Sequence, residues 1–518
     1  MVIAGASLGI ALFPRLGAYA GPDFREGVVS SARPLSLNPL IGADTETVHD
    51  VGHLLYRSLM RLDGDAFPQP DLAASLTVSA DGLQYTAALA PHQRWSDGRP
   101  ITAQDVLATL RFAQSRVALD HALASSLTGV RATATGGQVV FALPSPRASF
   151  PATLSQLPIL PLGSLHAAAL AALPAQVGTA MATSGPYRVQ SADTAAIELI
   201  PNAFARARPH LNKVELRVYA TFADASSAFA KDDVDAVLAT TPDERARLLR
   251  APRARAHDIA TFRFVDLLFN ERVPGLDDPV VRQAISTAIS RSSIVGGALA
   301  GSGGLLQVSP ISEGLRWIAT KDPLEQASPT TAMSALSADG WTPGPTGIRQ
   351  RGNTALEFAF TVPSVDPLPA VVRELAGQLS SVGVGTSIDV VPSDRFIAAD
   401  VAPGSFQLAL ADWDGGPDPD VSAFWRSNAT PPQGFYVAGG APDAFLDQAL
   451  DTLATLSNRD GRVTAAASVS SHLLSDSPAV FLYTPSVSYV IRGPLAGVPM
   501  PAVGGGPARF DDIASWRK

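Results

Sequence analysis

The chain has no cysteine among its 518 residues. That excludes disulfides, thiolate metal sites, a cysteine nucleophile and a lipid-bearing cysteine anchor, and it leaves the redox compartment open. Charge is scarce as well, at 17% of residues, with 39 basic against 47 acidic side chains, a formal net charge of -8 and no basic block. Such a balance disfavours a nucleic-acid partner. Long apolar runs are missing from the body of the chain. The run over residues 2–13 is well short of the ~20 residues needed to cross a bilayer, and the alanine-rich stretch 167–175 is interrupted by Pro174. Ala18-Tyr19-Ala20 before Gly21 fits a small-x-small cleavage site, so residues 1–20 are expected to be a signal peptide or an N-terminal anchor, although no positive charge precedes the apolar run. From Gly21 onward there is no Gly-x-Ser-x-Gly, and Gly301-Ser302-Gly303-Gly304 lacks the lysine and strand-to-helix setting of a phosphate loop. No nucleophile and base can be paired, and no enzymatic activity or cofactor is expected.

What is present is apolar material for large cores, 46% of the residues, in a chain long enough for two or three domains. Strand-like and helix-like pieces alternate, which predicts an α/β mixture rather than a repeat array. Asp81-Gly82 reads as a hairpin turn before a half-buried strand over 83–89. Asp97-Gly98 is a second turn, after which Thr102 can cap a helix with Asp105 three residues on. A helix is predicted over 45–61, with Val48, Val51, Leu54, Leu55, Ser58 and Leu59 on one face. A strand over 211–218, a helix over 223–230 and a strand over 234–237 form one βαβ-like unit. Asp278 and Pro279 suit the N-cap and first position of a helix whose apolar stripe is Val281, Ala284, Ile285, Ala288 and Ile289. His49 and His53 share a helix face around Asp50, but no third ligand follows at a metal-site spacing, and no metal is expected.

Several of these strings occur in a family order. Pro70-Asp71-Leu72-Ala73, Asp81-Gly82-Leu83-Gln84-Tyr85 and Trp95-Ser96-Asp97-Gly98-Arg99-Pro100-Ile101-Thr102 are followed by Ser184-Gly185-Pro186-Tyr187, Lys231-Asp232-Asp233-Val234-Asp235-Ala236, Leu268-Phe269-Asn270 and Asp278-Pro279-Val280-Val281-Arg282-Gln283-Ala284-Ile285. Gly340-Trp341 and Leu379-Ser380-Ser381-Val382-Gly383-Val384 come after. The order resembles the family 5 solute-binding proteins, the peptide- and nickel-binding components of ABC importers, from about residue 28 to 498. In this resemblance Trp95, Asp97, Asp105, Tyr187 and Arg282 serve the architecture.

The resemblance implies a large bilobal periplasmic-binding-protein fold of class II with an inserted accessory domain. Lobe I is expected from residues 21–47, 179–266 and 477–518, the accessory domain from 48–178 and lobe II from 267–476, with crossovers near Leu267-Leu268-Phe269 and at 478–481. It implies an extracytoplasmic monomer that closes on a small ligand, most readily an oligopeptide, and hands it to the permease subunits of an ABC importer. A ligand sensor or surface scaffold on the same fold is the alternative, with a hydrolase third. In peptide-binding relatives an aspartate of a Trp-x-x-Asp-x-x-Asp-Pro element holds the α-ammonium. The counterpart here, Asp412-Trp413-Asp414-Gly415-Gly416-Pro417-Asp418-Pro419-Asp420, is one residue shorter and carries glycine at the anchoring position. Trp413, Asp414 and Asp418 are therefore the expected ligand contacts, with solvated turn residues as the other reading of the aspartates. Asp44 and Thr45 are placed where relatives line the cleft.

Overall fold

A computed structural model describes residues 21–31, 34–41, 46–115, 121–165, 181–318, 327–429, 434, 442–498 and 503–518. The expected signal segment, the stretch 167–175, and Asp44 and Thr45 lie outside these residues. Among the described residues no helix is long and apolar enough to cross a membrane.

Local chemistry shapes the elements as the sequence pattern predicts at several points. The strand Lys213–Tyr219 alternates, burying Val214, Leu216 and Val218. Thr221 then caps the helix Phe222–Ala230 by accepting from the Asp224 N–H, and the chain returns as the strand Ala236–Ala239. The strand Asp23–Val29 sits between those two, parallel to both, so the βαβ unit is closed by the first strand of the chain. Thr102 and Asp105 form a capping box at the helix Ala103–Ala113, with Thr102 N–H donating to Asp105 Oδ2 at 2.9 Å. Asp278 Oδ1 accepts from Val280 N–H at 2.9 Å ahead of Pro279–Ala288. At the first hairpin Asp81 Oδ1 accepts from Leu83 N–H at 3.0 Å, and Gly82 takes φ +69°, which a Cβ would strain.

One predicted helix is shorter than its pattern. The segment expected over 45–61 is helical only at Glu46–Leu55, and Met60–Leu62 is a strand. The backbone of 57–59 has distant partners instead: Arg57 N–H donates to Ser184 Oγ at 2.9 Å, and the Leu59 carbonyl accepts from Asp71 and Ala73 N–H at 3.0 and 3.1 Å. Those long-range bonds outweigh the helical spacing of Ser58 and Leu59.

A twelve-stranded mixed sheet runs through the molecule. Its order is Gly385–Val391, Glu357–Pro363, Leu408–Asp414, Arg263–Phe269, Ala479–Arg492, Ala236–Ala239, Asp23–Val29, Lys213–Tyr219, Ala196–Pro201 and Tyr187–Ala192, with Ala254–Ala260 and Gly304–Leu306 also paired to Ala479–Arg492. That long strand joins two halves. Residues 479–483 ladder with Arg263–Phe269, and 486–492 ladder with Ala254–Ala260. Leu267–Phe269 and 478–481, expected as the crossovers, lie in or beside the first ladder, where Leu267 pairs Val480 and Leu268 pairs Ala479. The change of partner falls instead at Thr261–Phe262 and Thr484–Pro485, next to a register shift between Val265 and Asp266. The apolar runs on either side of the turn read alike, so their pairing is set by register that the sequence does not show.

Separate buried clusters stand on the two halves. Phe24, Leu37, Val51, Leu54 and Trp95 belong to one that continues into the four-stranded sheet of 73–142. Two others, around Leu267, Phe360 and Leu375 and around Leu268, Trp425 and Leu450, cover the two faces of the second half. The architecture is thus the bilobal α/β arrangement expected from the sequence.

Candidate functional site

The crossover is held by Thr261, whose N–H and Oγ1 both donate to the Pro485 carbonyl, at 2.9 and 2.8 Å. Around it gather the end of the strand Leu408–Asp414 and the strap 307–318. The Phe262 carbonyl accepts from Gly415 N–H at 3.3 Å, and the Thr261 carbonyl from Ser312 Oγ at 3.1 Å. Two polypeptide segments from the second half therefore meet on the two-residue turn that links it to the first.

The aspartate-rich loop divides its labour. Asp412 takes a two-pronged contact from Arg263, with Nε at 3.0 Å and Nη2 at 2.7 Å; burial pushes its carboxyl up, and Arg263 opposes that shift. Asp414 is exposed, and its Oδ1 accepts from Gly416 N–H at 2.9 Å, closing the turn. Asp418 has both oxygens bound by Arg462, at 2.6 and 2.8 Å, in a pair that is nearly excluded from solvent. Asp420 Oδ1 accepts from Ser422 N–H at 3.0 Å. Among these carboxylates Asp414 is the one left facing solvent without a cation.

Trp413 points its indole inward. Nε1 donates to Asp266 Oδ1 at 3.0 Å, and the ring lies 5.0 Å from that of Phe424. Asp266 is fully buried, its Oδ2 has no partner, and burial drives its carboxyl well above the usual carboxylate range against the hydrogen bond from Trp413. Asp266 carries a signal in sequence that went unread: it is the single acid in Phe264-Val265-Asp266-Leu267-Leu268-Phe269. Arg462, in the low-amphipathicity helix Arg459–Asp476, offers no comparable signal.

Arg462 also reaches the four-stranded region, donating to the Ala148 carbonyl at 3.4 Å with its guanidinium 5.6 Å from the Trp317 ring. Nearby, Ala148 N–H donates to the Ala454 carbonyl at 2.7 Å, Trp317 N–H to the Asp65 carbonyl at 3.2 Å, and Phe67 meets Trp317 edge-on at 5.1 Å. The loop that ends in Asp418 thus lies on a seam between the second half and residues 65–148. Asp50, flanked by His49 and His53, binds Arg509 at 2.7 Å, while His53 Nδ1 stands 3.2 Å from Asp511. Among the described residues no group of three or more His, Cys, Asp or Glu side chains is placed to hold a metal ion. A surface cleft lined by Glu271, Asp443, His472 and Asp476 lies at the start of the helix Ala444–Thr455 and takes no part in the crossover.

A two-lobed α/β molecule with paired crossovers and a polar loop at the junction has the form of a ligand-binding protein, and comparison with known proteins agrees. Residues 68–435 match the model of the bacterial extracellular solute-binding proteins, family 5. The chain is 27% identical over 490 residues to Protein XP55 of Streptomyces lividans, covering 89% of this chain and 84% of that one. It is 24% identical over 483 residues to the oligopeptide-binding protein AppA of Bacillus subtilis, covering 89% and 86% of the two chains. The unliganded open form of the periplasmic murein tripeptide binding protein MppA superposes with a TM-score of 0.80 at 17% identity, over 96% of this chain and 97% of that one, a likeness of fold alone. The chain belongs to the bacterial extracellular solute-binding proteins, family 5. It is a solute-binding protein that works outside the cytoplasm.

Proposed function

We propose that the protein captures an oligopeptide between its lobes and delivers it to the permease of an ABC importer. The observation that carries this reading is the pair of short crossings, Thr261–Phe262 and Thr484–Pro485, which are the places where the sheet passes from one half to the other. Two adjacent connections of this kind form a hinge, and closure around a ligand gives a permease a shape to recognise. The lobes are divided at these two places, the first between strands and the second within the long strand Ala479–Arg492. Residues 21–47, 179–262 and 484–518 form the first lobe, 48–178 the accessory domain and 263–483 the second lobe. Peptide is favoured as ligand by the oligopeptide-binding relative and by the solvent-facing carboxylate of Asp414 in the loop 412–420.

Within this reading Asp414 and Trp413 stand on the second-lobe wall, and Asp418 acts by holding the loop through Arg462. The test is the thermal unfolding midpoint of the full chain against tri- to pentapeptides, sugars, amino acids and nickel chelates. A ligand at 100 times its dissociation constant adds about 2.7 kcal/mol of stability. A rise confined to peptides is expected; a rise with sugars or chelates and none with peptides contradicts the proposed ligand class.

A further inference from the structure

The polar groups of the strap from 307 to 318 bind one another and the crossover residues Thr261 and Thr484. Gln307 Nε2 donates to the Ser309 carbonyl at 2.7 Å, and Ser309 Oγ to the Ile311 carbonyl at 3.1 Å. Thr484 Oγ1 donates to Gln307 Oε1 and accepts from Glu313 N–H at 3.2 Å. Gly314 admits no side chain, because a Cβ there would stand 2.4 Å from the Thr261 carbonyl oxygen. These contacts pin the main chain on both sides of Glu313 and leave out its carboxylate. Among the described residues that group has no hydrogen bond or ion pair, although Glu313 is only partly exposed, and burial pushes its carboxyl above the ordinary range. The other acids at the crossover are engaged: Asp412 by Arg263, Asp418 by Arg462, and Asp414 by the Gly416 N–H.

Placement gives this solitary carboxylate its meaning. Ser312, beside Glu313, binds the Thr261 carbonyl, and Gly415, beside Asp414, binds the Phe262 carbonyl. Glu313 and the Asp414 turn thus flank the same hinge residues. A partly buried carboxylate without a partner destabilises the empty protein, whereas a ligand cation brought there by closure would gain a charge-assisted hydrogen bond. We propose that Glu313 receives the cationic end of the ligand, an α-ammonium or another primary amine. This rests on the capture reading above.

The test titrates a panel of tri- to pentapeptides, each with a free and an N-acetylated amino terminus, into the full chain and its E313Q and D414N variants by calorimetry. Wild type is expected to prefer free amines. E313Q should lose that preference, with affinity for free-amine peptides falling about tenfold to a hundredfold, the range of one charge-assisted hydrogen bond, and with acetylated peptides unaffected. A preference retained by E313Q and lost by D414N overturns the proposal and assigns the anchor to Asp414. Absence of any peptide binding by wild type would count against the peptide reading itself, and Glu313 is then judged on the ligand-free protein. There E313Q should raise the unfolding midpoint at pH 7.5 by about 1–2 °C, as expected for relief of an unpaired charge; an unchanged or lower midpoint overturns the proposal.

Discussion

Asp418 and Arg462 illustrate how a carboxylate in a readable motif can take a partner from far along the chain. The sequence placed Asp418 at the ligand, but 44 positions separate it from Arg462, and no local pattern announces that pair. Removing one partner of a buried ion pair leaves an uncompensated charge, so Arg462→Ala should destabilise by about 3–5 kcal/mol in urea unfolding, and Asp418→Asn with Arg462→Met together by much less. Equal losses from the single and double variants would contradict the pairing. Asp266 offers a test with pH. Its carboxyl is raised in the folded state, so its contribution is fully present below the ordinary value of about 3.9 and is lost as pH rises toward the folded value. Asp266→Asn keeps an acceptor for Trp413 without the titration, and its midpoint relative to wild type should climb from pH 4 to pH 8. A constant difference across that range would show that Asp266 is ionised in the fold.

At the scale of elements, the parts legible in sequence are those whose signals are local. The Thr102–Asp105 box, the Asp278–Pro279 start and the alternation over 213–219 need only neighbours within a few residues. The end of the first helix at Leu55 was not legible, since it depends on Ser184 and Gly185, whose N–H groups bind the Leu55 carbonyl at 3.0 and 2.8 Å. Gly185 is required by that approach: a Cβ would lie 2.6 Å from the Leu54 carbonyl oxygen. Gly185→Ala should therefore lower stability by about 1–3 kcal/mol in denaturant titration, as overpacking does. A neutral result would mean that the helix end and the 184–187 turn can separate freely. The candidate site divides in the same way. Trp413 and Asp414 were readable from a motif, while the arrival of the 307–318 strap beside them depends on Thr484 and Thr261, far apart in the chain.

At the scale of the whole molecule the proposed hinge adjoins a seam. The hinge is proposed at the pair of crossings at Thr261 and Pro485, and the seam is the contact of Asp65, Phe67 and Ala148 with Trp317, Ala454 and Arg462. Opening about the hinge must part that seam, so Trp317→Ala is expected to shift the ligand-free ensemble toward open forms. The fixed side of the hinge is the buried set in which Arg509 binds Glu26 at 2.5 Å and Asp50 at 2.6 Å, while Tyr489 donates to Glu26 at 2.7 Å. It ties the chain's C-terminal segment to the helix Glu46–Leu55. Because the chain has no native cysteine, a single labelled pair can be introduced without background. The most direct measurement places spin labels at Lys231→Cys and Ser381→Cys, both exposed and on opposite lobes, and records their distance distribution with and without a peptide that raises the unfolding midpoint. The account predicts a broad ligand-free distribution that narrows to one population when the peptide binds; binding that leaves the distribution unchanged would contradict capture by lobe closure.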